Sequence, residues 1–317
     1  MRYLSKQEVE SKLTMETCIS LMRELFGEIA RGKVPGQLRT AMPISPGKLL
    51  GLMPGSLPYK DAVGAKLITV YHENYRYGLP SHQGVVVLFD SETGSLRGMV
   101  DGTAITGIRT AAASAVATDL LAREEAKRIA LLGAGVQAKA HLEAIAQVRS
   151  LERAYVWSHD LEEAESFAGE QAVRYDFPIT VCQSAKEAVE SADIICTVTS
   201  SETPILEGLW LPEGVHINAV GACRPKDREL DSLAVKEARL FGDSLESVQN
   251  ESGDYLIPLA EGIIDEMHLL GEIGDVLVGH IAGRQSDQDI TLFKSLGIAA
   301  EDIACAAWLL ENTERGE

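Results

Sequence analysis

The segment Arg128-Ile129-Ala130-Leu131-Leu132 is a short apolar run that ends in Gly133-Ala134-Gly135-Val136-Gln137-Ala138, a G-x-G-x-x-A turn. The chemistry such a turn can do is anion binding. Gly133 permits a tight reversal, Gly135 lacks the Cβ that would hold a pyrophosphate off the backbone, and Ala138 is small enough for close helix–strand packing. The phosphates of a dinucleotide would then meet the first amides of the following helix, where unpaired N–H groups and the helix dipole favour negative charge. A glycine-rich turn with no ligand can carry the same string. Context separates the two: a strand precedes it, a helix follows it, and the surrounding βαβ unit is about 30 residues long. Gly133, Ala134, Gly135, Val136 and Gln137 are therefore expected to bind the cofactor.

Which dinucleotide binds depends on the end of the second strand. An NAD site usually places Asp or Glu there to hold the ribose hydroxyls, whereas the 2′-phosphate of NADP needs that carboxylate gone and donors in its place. The chain reads Ser158-His159-Asp160. Ser158 stands at the acidic position and His159 can donate to a phosphate; Asp160 could bind the ribose but is better suited to cap the next helix. NADP(H) is expected over NAD(H), with Ser158 and His159 as contacts.

Other reactive residue types are thinly spread. The five cysteines, Cys18, Cys182, Cys196, Cys223 and Cys305, form no C-x-x-C pair. That argues against a zinc site or a disulfide framework and for a reducing, cytoplasmic setting. No metal is expected. Cys223 could act as a nucleophile, but no paired histidine base is visible in the sequence.

These residues need a scaffold, and the periodicity of the chain outlines one. Apolar residues recur at helical spacing from Val9 to Ala30. Between Gly36 and Asp101 short β-like runs alternate with Gly and Pro. Val85–Phe89, the polar loop Asp90–Ser95 and Leu96–Val100 read as a hairpin. From Thr110 the pattern changes to alternating strands and helices. Helices are expected at Thr110–Ala122 and Val136–Val148, with strands at Arg128–Leu132 and Arg153–Trp157. Capping boxes are expected at Asp160 with Glu163 and at Ser184 with Glu187. Further strands are expected at Ile179–Cys182, Asp193–Thr199, Val215–Val220 and Arg239–Gly242, and a last helix at Ile298–Asn312. Such βαβα alternation implies an α/β fold, a parallel sheet covered by helices on both faces.

A formal charge of −18 repels nucleic acid phosphates and anionic lipid headgroups, so neither nucleic acid nor membrane is an expected partner. The first 25 residues interrupt their apolar positions with Lys, Arg and Glu and lack the core of a signal peptide. No stretch has the apolar length needed to span a bilayer.

Several local strings now coincide: Met53-Pro54-Gly55, Lys66-Leu67, Pro80-Ser81-His82-Gln83, Asp101-Gly102, Thr106-Gly107-Ile108-Arg109-Thr110, Gly133-Ala134-Gly135-Val136-Gln137, Ile217-Asn218-Ala219-Val220-Gly221 and Lys294-Ser295-Leu296-Gly297. Together they resemble the ornithine cyclodeaminase/mu-crystallin family, from Arg39 to the C-terminus. The resemblance implies a Rossmann-type doubly wound parallel sheet over 114–297. It also implies an α+β substrate and dimerisation domain, 1–113 with 298–317, and a homodimer. By the same resemblance Arg39, Lys66 and Arg109 would surround a substrate carboxylate, with His82 nearby. Arg109 and Thr110 would touch the dinucleotide, and Asn218, Ala219, Val220, Ser295 and Leu296 would lie near its nicotinamide. The residue types suit those roles, since arginine forks a carboxylate and lysine supplies a point charge and proton donors.

One departure directs the expected chemistry. Cyclodeaminases of this family carry an acid–base Asp directly after the Gly of the Asn-Ala-Val-Gly string, where this chain has Ala222. The following Arg-Pro and Arg228-Glu229-Leu230-Asp231 look like the mu-crystallin branch, whose members reduce cyclic ketimines. The resemblance thus implies an NAD(P)H-dependent reductase acting on C–N bonds, converting Δ1-pyrroline-2-carboxylate or Δ1-piperideine-2-carboxylate to the cyclic amino acid. Lys66 and Arg109 would be catalytic, and the imine proton could come from Lys66, from water, or enter with the substrate. The alternatives are an alanine-dehydrogenase-like reductive amination, ornithine cyclisation (disfavoured by Ala222), and a non-enzymatic NADPH- or ligand-binding protein.

Overall fold

A computed structural model describes residues 2–314. In chain order it begins with β1 (Arg2–Leu4), α1 (Lys6–Lys12), α2 (Met15–Ala30), β2 (Thr40–Ser45), β3 (Lys48–Leu57), β4 (Ala62–Tyr71), β5 (His82–Asp90), β6 (Leu96–Asp101) and α3 (Gly102–Leu121). It continues with β7 (Arg128–Leu132), α4 (Val136–Val148), β8 (Arg153–Trp157), α5 (Leu161–Ala172), β9 (Ile179–Val181), α6 (Ala185–Val189), β10 (Ile194–Thr197) and β11 (His216–Ala219). Last come α7 (Ser232–Glu237), β12 (Ala238–Gly242), α8 (Leu245–Glu251), α9 (Gly253–Ala260), β13 (Leu269–Glu272), α10 (Ile273–Leu277), β14 (Ile290–Lys294) and α11 (Ala299–Glu314). The chain divides into two units, Met1–Arg109 with Gly297–Glu317, and Thr110–Leu296.

The first unit is a six-stranded sheet in the order β1-β6-β5-β4-β3-β2, antiparallel except for the β1–β6 pair. Side chains alternate across it with period two. On β4, Gly64, Lys66 and Ile68 fall on the buried face together with Val86 and Leu88 of β5. Helix α11 packs on β3, β4 and α2. Gly55 of β3 and Gly98 of β6 lie under Ile303 and Leu310, so the helix approaches the strands closely. The other face of the sheet carries exposed apolar side chains, among them Tyr3, Met42, Leu52, Leu67 and Phe89. Leu52 and Leu67 sit directly opposite each other across β3 and β4.

The second unit is the doubly wound sheet expected from the sequence. Its eight strands run β13-β12-β14-β11-β10-β7-β8-β9, and all pairs are parallel. The strand order reverses between β7 and β10, the switch point at which open α/β sheets bind ligands. Leu132, Ile195, Ile217, Leu240 and Leu292 form its buried core from five neighbouring strands.

Local chemistry moved several boundaries. The helical pattern from Val9 to Ala30 is two helices, because Thr14 accepts the amide of Thr17 and starts a new N-terminus after α1. The helix expected at Thr110 starts at Gly102, where the Asp101 carboxylate accepts the Ala104 amide. The Asp160–Glu163 box does not form. Asp160 accepts the Glu162 amide, while Glu163 turns back to the hydroxyl of Ser158. At Ser184 the hydroxyl accepts the Glu187 amide, but Glu187 itself takes the amide of Gln183.

Candidate active site

In the first unit, Arg39, Lys66 and Arg109 converge on the start of α11. Lys66 Nζ lies 2.7 Å from Asp302 Oδ2, with both side chains almost wholly out of water. Arg109 places Nη1 2.7 Å from Glu301 Oε2 and Nε 3.2 Å from Asp302 Oδ1, so Asp302 bridges the two cations through separate oxygens. Lys66 also reaches Thr106 Oγ1 at 3.4 Å. Arg39 donates to the carbonyl of Gly297 at 3.0 Å. Both acids stand in the first turn of α11, where the helix dipole favours negative charge.

Burial and the neighbouring arginines set the electrostatics. Desolvation pushes Lys66 down to about 8, with Arg109 and Arg39 adding repulsion and Asp302 opposing both. Desolvation also opposes ionisation of Asp302, but Arg109 and Lys66 outweigh it and hold the carboxyl below its ordinary range. His82 is not part of this cluster. It is exposed, contacts Ser81 Oγ through Nδ1, and pairs with Val70, four positions along β4 from Lys66, or about 13 Å.

In the second unit, the turn after β7 has the features an anion needs. Gly133 takes φ +119°, a conformation that disfavours a side chain, and a Cβ there would also press on Val198. Gly135 is the N-cap of α4 and offers no side chain to its amides. A Cβ built on Gly135 would enter open space, so there is room at the helix start. Ala134, Val136 and Gln137 complete the turn, and no acidic residue stands in the first turn of α4. These features fit the pyrophosphate of a dinucleotide.

The end of β8 is acidic. Ser158 is buried and donates its hydroxyl to Glu163 Oε2 at 3.3 Å. His159 and Asp160 are exposed, and residues 154–173 include no Lys or Arg.

The remaining candidates lie at or just beyond the C-terminal ends of β11 and β14, apart from Thr110 in α3. Asn218 is fully buried, and its amide donates to Thr118 Oγ1 at 2.9 Å and contacts Cys196. Its side chain therefore holds α3 to the sheet rather than facing a ligand. Ala219 ends β11 and Val220 follows it, and Thr110 is buried in α3. Ser295 and Leu296 both bond to the Asp243 carboxylate. Ala222 is buried and offers no titratable group at its position.

Three acids in these clusters, Glu301, Asp302 and Asp254, carried no signal in the sequence, and Glu229 entered only as part of the string Arg228–Asp231. Glu301 and Asp302 hold Arg109 and Lys66, yet helical periodicity marks them only as polar residues of a first turn. Glu229 is fully buried and joins two strand ends. It accepts from Thr199 N and Oγ1 on one oxygen, and from Gly221 N and Thr197 Oγ1 on the other. Asp254 in turn accepts the amides of Glu229 and Leu230 and pairs with Lys294 at 2.8 Å. Burial pushes Glu229 up, against the pull of Lys294.

Comparison with known proteins adds to this geometry. The model of the ornithine cyclodeaminase/mu-crystallin family matches residues 2–317. The chain is 38% identical to the ketimine reductase mu-crystallin of Mus musculus, covering 99% of this chain and 98% of the relative. It is 36% identical to a Δ1-pyrroline-2-carboxylate reductase of Bacillus cereus, covering 100% and 98%. Among solved structures, the Δ1-pyrroline-2-carboxylate reductase of Thermococcus litoralis, in complex with NADH and L-proline, superposes with a TM-score of 0.97. That pair is 39% identical, with 100% and 98% of the chains covered.

Proposed function

Because the chain belongs to the ornithine cyclodeaminase/mu-crystallin family, we propose that it is a nicotinamide-dependent oxidoreductase that reduces the C=N bond of a cyclic imino acid. Its substrates are Δ1-pyrroline-2-carboxylate or Δ1-piperideine-2-carboxylate, and its product is the cyclic L-amino acid. The observation that carries this reading is the cluster of Lys66, Arg109 and Arg39 around the start of α11, built on the same chain as a dinucleotide turn.

Arg39, Lys66 and Arg109 fix the substrate carboxylate. The guanidinium groups supply paired donors and Lys66 a compact charge. Fixing the carboxylate orients the ring and removes the entropy of bringing the reactants together. The amides of α4 and the Gly133–Gln137 turn hold the pyrophosphate. The bound dinucleotide supplies the hydride. The first unit is the substrate and dimerisation domain, and the second the dinucleotide-binding domain.

Between NADP(H), expected from the sequence, and NAD(H), the geometry at β8 favours NAD(H). A 2′-phosphate there would approach Asp160, Glu162 and Glu163 with no Lys or Arg on the same segment, and Ser158 already donates to Glu163. Ala222, buried and without a proton to move, keeps ornithine cyclisation as the disfavoured chemistry. The exposed apolar face of the six-stranded sheet fits a homodimer, since large exposed apolar patches mark protein–protein contacts. Five cysteines that are all free suit a reducing compartment such as the cytoplasm.

The test is oxidation of NADH and NADPH by the purified protein with five- and six-membered cyclic imino acids, with and without ammonia, alongside ornithine as substrate. Turnover of a cyclic imine without ammonia is expected. Turnover that requires ammonia and an open 2-oxo acid would replace this reading with reductive amination.

A further inference from the structure

Lys66 is a buried ammonium that forms an ion pair with Asp302 Oδ2 at 2.7 Å and donates a hydrogen bond to Thr106 Oγ1 at 3.4 Å. The groups that bear on this charge are Asp302 from α11, Arg109 and Thr106 from α3, and Arg39 from the segment before β2, while β3 and β5 place Met53 and Val86 opposite Lys66. Glu301 directs its carboxylate to Arg109, which leaves Asp302 as the acid that contacts Lys66. With Asp302 removed, a lysine out of water beside two arginines would lose its proton.

We propose that Asp302 is the positioning residue that keeps Lys66 charged and fixed as the donor of the proton that reduction adds to the imine nitrogen. The inference rests on the ketimine reductase reading. Reduction of the ring C=N adds a hydride, supplied by the dinucleotide, to carbon and a proton to nitrogen. The π electron pair of C=N becomes the new N–H bond as an N–H bond of Lys66 breaks. Lys66 is left as the neutral amine and takes a proton from solvent before the next turnover. A general acid works best with a pKa near the working pH, and burial brings Lys66 to about 8.

The experiment compares wild type with Asp302→Asn in two ways. Steady-state reduction of the cyclic imine is followed from pH 6 to 10, and the ¹³Cε signal of Lys66 is titrated by NMR in the protein without dinucleotide. Expected for Asp302→Asn are a loss of kcat of about 100-fold, an alkaline limb of kcat at least about one pH unit lower, and a matching downward shift of the Lys66 titration. NADH affinity, read by fluorescence, should stay within about twofold. Should Asp302→Asn not fold, Asp302→Glu keeps the charge and alters its reach. A fall in kcat of at least about tenfold at unchanged NADH affinity is then expected, and unchanged kcat overturns the proposal. In Asp302→Asn, an unchanged alkaline limb and an unchanged Lys66 titration overturn it even if thermal stability falls. A wild type that reduces neither ring size has lost the functional reading itself, and the role of Asp302 with it.

Discussion

The guanidinium of Arg109 occupies the space that a side chain at Gly297 would need. A Cβ on Gly297 would lie 2.8 Å from Nη2 and 3.0 Å from Cζ of Arg109. Gly297 also takes φ +73°, and its carbonyl accepts the Arg39 hydrogen bond. One glycine therefore sets the approach of two of the three clamp cations.

Gly297→Ala should displace Arg109 and strain the backbone at once. The strain alone is about 1–2 kcal/mol. KM for the cyclic imine is expected to rise about tenfold or more, equivalent to roughly 1.4 kcal/mol, while NADH affinity holds. Steady-state kinetics with urea unfolding separates the two effects. An unchanged KM would mean that Arg109 shifts without losing its grip on the carboxylate.

Lys66→Met removes the ammonium and keeps much of the side-chain volume. The substrate loses a clamp charge and the imine its proton donor, so kcat/KM should fall by about 10²–10⁴. The dinucleotide turn lies in the other unit, and NADH affinity should change less than about threefold. Removing one partner of a buried ion pair typically costs about 3–5 kcal/mol, so thermal unfolding should be followed on the same sample. Turnover equal to wild type would sink the role of Lys66.

The nucleotide half of the protein was legible because its signals are local. Arg128–Leu132, Val136–Val148 and Arg153–Trp157 were bounded by periodicity and glycine, and the structure has the same limits. The strands Leu269–Glu272 and Ile290–Lys294 escaped notice, being short runs at one side of a sheet whose neighbours are distant in sequence. Arg39, Lys66 and Arg109 could be proposed as a group only from the joint pattern of strings, since a lone cation reads as a solvated surface charge. Their acidic partners were beyond reach. Asp302 lies 236 positions from Lys66, and only the return of α11 to the first sheet brings them together. Likewise the sequence pattern presents Glu163 as half of a capping box, whereas its carboxylate accepts the Ser158 hydroxyl.

Two histidines fully buried in the second unit make stability sensitive to mild acid. His141 Nδ1 donates to the Gln137 carbonyl, which can only accept, leaving Nε2 against Ser114 Oγ. His216 is held between Thr291 and Asn218. Burial is the main cause that lowers them, to about 4 and about 3, from an ordinary 6.5. The unfolded chain therefore takes up protons below pH 6.5 at sites the folded chain keeps neutral. Stability should fall as pH drops, by about 2 kcal/mol per pH unit between 6 and 5. Urea unfolding at half-unit steps from pH 7 to 5 measures the slope. A slope of half that size would show that one imidazole protonates in the folded state, and a flat profile that both do.

The acidic end of β8 should be readable in cofactor preference. The hydroxyl of Ser158 donates to Glu163, and Asp160 and Glu162 stand beside them at the start of α5. A ribose with a free 2′-hydroxyl can donate to these carboxylates, whereas a 2′-phosphate meets like charge. Fluorescence titration should therefore give a lower Kd for NADH than for NADPH, with the gap narrowing in added salt as surface charges are screened. Glu163→Gln removes one charge and keeps the shape. It should improve NADPH binding about tenfold relative to NADH, the scale of one charge–charge contact near a surface. Glu163→Arg should go further and favour NADPH. Tighter binding of NADPH by the wild type would restore Ser158 and His159 as phosphate ligands and remove Glu163 from the account.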